Sequence, residues 1–224
     1  MMKPVVPALV LLCRVPGAAQ DPITAVPEAY KLQFENEVVR VVRVHYAAGA
    51  KLPEHTHPAG TTAYVYLNDS DGVIFRHAGG SSRAVTRPAV KTGSIRLSAG
   101  SEEHHNAENP AATPSNFLRI QFKTLTSRNL RQRIPRGTFR QGESSITVDY
   151  TSEPLVIQRF IIPAGKSMQV PVTESAAMPS LWVAVPSGET RWVESAQEAP
   201  VTNSGETTME WLRFIVRGAS KGPQ

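Results

Sequence analysis

Short segments rich in β-branched and aromatic residues recur along most of the chain, and this pattern constrains the fold more than any other feature. Residues 38–46 read VVRVVRVHY, and residues 62–67 read TAYVYL before a turn-like NDSDG. Further segments of this kind cover residues 73–77, 94–97, 117–123, 145–150, 155–162, 181–185 and 211–217. Turn signals between such segments are typical of an antiparallel sandwich or barrel. Proline, at 18 of 224 residues, interrupts helices, so the sequence predicts an all-β fold with little helix.

The two halves of the chain also resemble each other. Residues 42–53 (VRVHYAAGAKLP) parallel residues 158–168 (QRFIIPAGKSM), which places Gly165 116 residues after Gly49. Gly72 and Gly188 have the same separation, whereas FLRI at 117–120 precedes WLRF at 211–214 by 94 residues. On this alignment the second copy lacks 22 residues between Gly188 and its last strand. We therefore predict two tandem β domains, residues 21–126 and 135–224, joined by a linker at 127–134.

The first twenty residues have the features of a secretory signal peptide. Lys3 precedes an apolar stretch at 5–13, and Gly17-Ala18-Ala19 supplies a small-x-small cleavage site. This segment predicts an exported protein, periplasmic or secreted. It also contains Cys13, the chain's single cysteine, so the mature protein would offer no thiolate for catalysis or metal binding.

Composition narrows the class of partner. With 41% hydrophobic residues the chain has material for a sizeable core, and no run approaches the 18 apolar residues of a membrane-spanning helix. The net charge of +5 is small and spread along the sequence, which is weak evidence for nucleic-acid binding. We expect a small-molecule ligand or substrate, no nucleic acid and no membrane span. Exposed strand edges would allow a homo-oligomer.

Histidines with metal-ligand spacing lie in the first half. His55 and His57 are two residues apart, and in a strand such residues share a face with their Cα atoms about 6.6 Å apart. Two imidazoles placed in this way can converge on one ion at about 2.0–2.1 Å each. A third imidazole would come from His104 or His105, which follow a glycine-bounded strand and turn at 93–103. The candidate metal ligands are therefore His55, His57, His105 and His104.

These residues resemble the cupin family. Residues 49–57, a glycine followed five residues later by HTH, fit the start of the family's first motif, G-x5-H-x-H-x(3,4)-E-x6-G. Residues 93–109 resemble the second motif, G-x5-P-x-G-x2-H-x3-N, in looser form. His105 and Asn109 keep the H-x3-N spacing, which favours His105 over His104. The resemblance implies two tandem double-stranded β-helix (jelly-roll) barrels, that is, a bicupin.

Departures from the family pattern bear on the metal. Thr62 stands where the family has its glutamate ligand, Ser98 replaces the usual proline, and one extra residue precedes His105. Glu102 or Glu103 would be a substitute carboxylate, although solvated turn residues are the simpler interpretation. Three-histidine iron sites occur in the family among oxygenases acting on thiols. A divalent ion, Fe, Mn, Zn or Ni, is thus still expected.

The second half has lost this chemistry. The positions that match His55 and His57 are Pro171 and Thr173, and the 22 missing residues would remove the third histidine. We therefore expect a degenerate cupin domain without metal ligands.

Two functions fit these observations. In the first, the protein is a metal-dependent oxygenase or isomerase acting on a small organic molecule. Strand parity then places Tyr64 and Tyr66 on the face of Thr62 as candidate catalytic residues that orient substrate or donate a proton. The alternative is a non-catalytic small-ligand-binding or structural bicupin with a vestigial metal site, in which both tyrosines only pack.

Overall fold

The computed structural model describes residues 20–78, 83–125, 130, 137–170, 178–194 and 200–217. The predicted signal peptide lies outside these residues apart from Gln20, and the predicted linker lies outside them apart from Leu130. The described part begins with a four-residue helix, α1 (Pro22–Ala25), whose N-cap Asp21 accepts a hydrogen bond from the Ile23 backbone N–H at 3.0 Å.

Seventeen β-strands follow within the described residues. The strands of the first half are β1 (Tyr30–Glu35), β2 (Val39–Tyr46), β3 (Lys51–His57), β4 (Thr62–Tyr66), β5 (Val73–His77), β6 (Ala84–Arg87), β7 (Ile95–Ser98), β8 (Glu103–Glu108) and β9 (Ser115–Phe122). Those of the second half are β10 (Thr138–Gln141), β11 (Ser144–Thr151), β12 (Leu155–Ile162), β13 (Ser167–Met168), β14 (Ser180–Val185), β15 (Thr190–Val193), β16 (Val201–Thr202) and β17 (Met209–Val216).

Each half forms its own pair of antiparallel sheets. In the first half, a five-stranded sheet with the order β1-β2-β9-β4-β7 faces a four-stranded sheet with the order β3-β8-β5-β6. The second half has a six-stranded sheet, β10-β11-β12-β17-β14-β15, and a two-stranded sheet, β13-β16. The predicted all-β class with little helix is confirmed. Within the described residues, no helix is long and apolar enough to cross a membrane.

The central strands are buried on both faces, which explains why they read as near-continuous apolar runs. In β4, Ala63 and Val65 belong to a cluster that also contains Leu155, Leu212 and other residues of the second half. Tyr64 and Tyr66, on the opposite face of the same strand, line the interior of the first unit. The large sheets of the two halves therefore pack against each other, and each unit keeps a separate interior core.

The internal repeat holds at the level of strand pairing. Asn109 donates to the backbone oxygens of Tyr46 and Thr113 at 3.1 and 2.9 Å. Asn203, 94 residues later, donates to the oxygens of Ile162 and Thr207 at 2.8 and 2.7 Å. Both asparagines thus tie the end of one strand to the following loop at equivalent places. This structural role explains why the second half keeps the asparagine of the H-x3-N motif without its histidine.

The alignment of Gly72 with Gly188 is wrong. The sheet register makes Trp182 the counterpart of Tyr64, because they pair with Arg213 and Arg119 respectively. Strand β15 then corresponds to β7, and Gly188 takes the place of Gly93, both with positive φ (72° and 79°). Between β14 and β15 lie four residues, against 28 between β4 and β7. The deletion therefore removes the β5–β6 hairpin and lies before Gly188, not after it.

Because the deletion lies before Gly188, it does not explain why the second half lacks a third histidine. Val201 pairs with Met168 as Ala107 pairs with Leu52, so the segment equivalent to β8 is present. Counting back from this pair, the position equivalent to His105 is Ala199. The ligand is lost by substitution and not by deletion. Pro171, Thr173 and Ala199 lie outside the described residues.

Candidate metal centre

Three histidines converge inside the first unit. His55 and His57 lie on β3, and His105 lies on the neighbouring strand β8, directly opposite His55 in the sheet. One nitrogen from each ring lies within 4.8 Å of the other two, and the ring centroids are 4.9–5.1 Å apart. Ligand nitrogens 2.0–2.1 Å from a shared ion stand about 2.8–3.4 Å apart at octahedral or tetrahedral angles. The three side chains lie close enough to bind a metal ion.

His104 lies outside this cluster. Adjacent residues of a strand point to opposite faces, so only one of His104 and His105 can face inward. The His105 side chain is 2% exposed, whereas that of His104 is 42% exposed, with its Nε2 3.6 Å from the Glu54 carboxylate. The alternative ligand that the sequence left open is therefore placed at the surface.

The buried imidazoles have free nitrogens. Neither nitrogen of His105 has a hydrogen-bond partner among the described residues, and the same holds for Nδ1 of His57. Burial lowers the pKa of His105 to about 3, helped by the charges of His55 and His77. Burial and the Arg119 guanidinium hold the pKa of His57 far below its usual range. The rings are thus neutral at pH 7, and their lone pairs are available to a cation, as the chemistry of a metal ligand requires.

His55 is held by a directional chain of hydrogen bonds. Its Nδ1 lies 2.9 Å from the Pro53 carbonyl, which can only accept, so Nδ1 carries the proton. Nε2, 2.8 Å from the Tyr30 hydroxyl, therefore accepts from Tyr30, and Tyr30 in turn accepts from Tyr46 at 2.5 Å. Burial raises the pKa of both tyrosines, so the chain is protonated. A backbone carbonyl on Nδ1 is the usual means of aiming Nε2 of a ligating histidine.

A small cavity adjoins the histidines. It measures about 20 Å³, and its wall includes His57, His105 and Tyr64. Such a volume holds about one water molecule or an ion. Tyr66 lines a neighbouring cavity of about 30 Å³ and not this one. Thr62, where the family has its glutamate, donates to the backbone oxygen of Gly60 at 3.1 Å.

The charged residues around the cavity are mostly cationic. Arg87, Arg96 and Arg119 line it, and among the described lining residues Glu103 is the single carboxylate. An oxygen of Glu103 is 3.9 Å from Nδ1 of His105. This residue, which the sequence predicts as a solvated turn position, therefore borders the centre.

Sequence reasoning missed several of these residues. Tyr30 lies on β1, 25 residues before His55, and nothing in the sequence marks it. Arg119 carried a readable signal, since it is a charge inside the apolar segment FLRIQF, and Arg213 holds the same place in WLRF. A cation on the inward parity of a central strand is rare enough to indicate a site.

Comparison with known proteins supports the fold. No protein-family model and no curated protein matches the chain. Among solved structures, a proposed glyoxylate-induced protein of Pseudomonas aeruginosa gives a TM-score of 0.56 at 11% identity, covering 84% of this chain and 78% of that one. A cupin domain of Bordetella pertussis is 22% identical, with a TM-score of 0.36, over 42% of this chain and 92% of that one. Salicylate 1,2-dioxygenase of Pseudaminobacter salicylatoxidans is 12% identical, with a TM-score of 0.41, over 80% and 71%.

Together, the sheet topology and the likeness to the Pseudomonas aeruginosa structure identify a protein of the cupin fold. It carries two tandem cupin-type units, and the three-histidine cluster lies in the first.

Proposed function

We propose that this protein binds one divalent metal ion through His55, His57 and His105, and that the loaded centre oxygenates or isomerises a small organic molecule. The observation that carries the proposal is the convergence of three buried neutral imidazoles. Among the described residues, both nitrogens of His105 and Nδ1 of His57 have no hydrogen-bond partner. Buried polar atoms without partners are costly, so such a cluster is expected to have an additional partner. A bound ion would give His57 and His105 the partner they lack, and at His55 it would replace the hydrogen bond from Tyr30.

The ion, when bound, would polarise a substrate oxygen or exchange electrons with it, since three nitrogen ligands leave coordination positions open. Imidazole ligands suit Fe, Zn and Ni and tolerate Mn, so the ligand set leaves the metal unspecified. The hydroxyl of Tyr30 can hold or pass a proton beside His55. Tyr64 would orient substrate at the cavity wall, and Tyr66 would do so one cavity further on.

A second candidate function is a non-catalytic binding protein. The missing glutamate, with Thr62 tied to Gly60 instead, and a cavity of about 20 Å³ favour it. In this case the first unit retains its fold and a ligand site, and the histidines catalyse no reaction.

The test is elemental analysis of protein purified without an affinity tag. We expect near-stoichiometric metal in the wild type, its loss in the double variant His55→Ala/His57→Ala, and its loss in His105→Ala. His104→Ala is the matched control, since it removes an adjacent imidazole on the outer face, and it should keep its metal.

Three results would count against the proposal. Wild-type protein without metal, with a melting temperature that chelator does not change, would favour the second candidate. Equal metal in His104→Ala and His105→Ala would mean that the cluster is not the binding site. The metal-loaded protein would also be tested for dioxygen consumption and for isomerisation of a panel of small hydroxy, keto and thiol compounds. If it showed neither activity, only the metal-binding part of the proposal would stand.

A further inference from the structure

Three arginines and the two small cavities make up what we call the arginine-lined chamber. The cavities, of about 20 and 30 Å³, share Tyr64, Arg87 and Arg96 in their walls, and Arg119 closes the side next to His57 and His105. Arg119, Tyr64 and Arg96 are successive partners across β9, β4 and β7, so they form one inward-facing row. The chamber therefore concentrates positive charge beside neutral histidines.

The cations of this chamber lack counterions. Arg119 is 6% exposed, and its Nε is buried without a hydrogen-bond partner, as are Nε of Arg87 and Nε of Arg96. Among the described ion pairs none involves these three residues, although Glu103 borders the same space. Arg87 and Arg96 are half-buried and lie over the Phe75 and Tyr64 rings. Arg119 is the buried charge of the three, and a buried charge without a counterion destabilises the fold, so it needs a compensating group.

The second unit provides an internal comparison. Arg213 occupies the place of Arg119, in register with Trp182 as Arg119 is with Tyr64. Arg213 donates from Nε to the Ser180 hydroxyl at 3.2 Å, and its guanidinium lies 5.3 Å from the centre of the Trp182 ring. Where the metal ligands have been lost, the arginine has partners within the chain. Where the histidines remain, Nε of the equivalent Arg119 finds no hydrogen-bond partner in the part of the chain that the structure describes.

We propose that the arginine-lined chamber binds a carboxylate group of the small molecule that reaches the histidine centre. A planar carboxylate matches the guanidinium fork and can accept two parallel hydrogen bonds. Together, the two cavities have room for about one such group and little more. This deepens the proposed function by naming the ligand as a carboxylic acid, but the anion site itself consists of arginines and needs no metal.

The experiment measures acetate binding to protein stripped of metal with chelator and dialysed. Thermal melting and calorimetry would compare sodium acetate with sodium chloride at equal ionic strength, and with acetamide, its neutral isostere. We expect acetate to raise the melting temperature in a saturable manner, and acetamide and chloride to have no such effect. Arg119→Gln should weaken acetate binding by about 10- to 100-fold, the worth of hydrogen bonds to a charged group.

Two variants keep the result interpretable. Arg213→Gln removes the equivalent arginine of the second unit and should leave acetate binding unchanged. Arg119→Gln should also melt at a higher temperature than wild type in chloride alone, because an unpaired buried charge has been removed. A higher melting temperature would show that the variant is folded and that its loss of acetate binding has another cause.

Acetate acting no better than chloride, or acting equally on wild type and Arg119→Gln, would overturn the proposal. The His55→Ala/His57→Ala variant separates it from the metal hypothesis. Acetate binding retained in that variant supports the arginine site even if the wild type holds no metal. Metal binding without any acetate response would leave the metal hypothesis standing and refute this one.

Discussion

Acid should destabilise the metal-free protein through its buried histidines, and His105 gives a measurable case. Its ordinary pKa of 6.5 applies to the unfolded chain, whereas burial lowers the pKa to about 3 in the folded state. As pH falls below 6.5 the unfolded state takes up the proton first, so stability is complete above pH 6.5 and declines down to about pH 3. From pH 6.5 to 5.0, 1.5 units at 1.36 kcal/mol per unit amount to about 2 kcal/mol.

The assay is urea denaturation of metal-free protein at pH 7.5 and pH 5.0, followed by tryptophan fluorescence. His105→Gln cannot titrate, so its free energy of unfolding should fall by about 2 kcal/mol less than that of wild type over this interval. His104→Gln is the matched control, because it removes the adjacent imidazole on the outer face, and its loss of free energy should parallel that of the wild type. If His105→Gln and wild type lose the same free energy, His105 is not a buried neutral imidazole and the reasoning fails.

Two further substitutions test the surroundings of the centre. Tyr30→Phe should raise metal affinity by about 2- to 10-fold in a chelator competition titration. The reason is that the ion no longer displaces a hydrogen bond worth about 0.5–1.5 kcal/mol from His55. A lower affinity would instead indicate that Tyr30 is itself a ligand. Gly100→Ala should destabilise the protein far more than Gly49→Ala. Both glycines have positive φ. A Cβ at Gly100 would lie 1.8 Å from the Gly60 carbonyl oxygen, whereas a Cβ at Gly49 would have no atom beyond its own residue and chain neighbours within 4 Å. Equal urea midpoints for the two glycine variants would contradict this packing.

The fold class and the pair of adjacent ligands could be predicted because both depend on local periodicity. Alternation along β3 places His55 and His57 on one face whatever the rest of the chain does. The spacing to Asn109 selected His105, and Asn109 fixes the loop after β8 through three backbone carbonyls. Export of the chain rests on residues 1–20 alone and stays a prediction.

The location of the deletion could not be predicted. Two glycines with the same separation suggested one alignment, whereas strand pairing supports another, in which Gly188 corresponds to Gly93. Glycine is common in left-handed turns of every kind, so a glycine alone does not show which turn of the first half it corresponds to. Only the register of β14 against β17 decided the matter.

The sequence by itself determined what local patterns determine: a β-rich chain, an internal repeat, and two histidines, His55 and His57, whose parity directs them to one side. The tertiary structure decided which groups meet them. Tyr30 and Arg119 reach the centre from strands that are far from it in sequence, and Arg213 finds partners that Arg119 does not. The physical reason is that charge compensation and hydrogen-bond satisfaction depend on distances between strands, and these exist only once both sheets have formed.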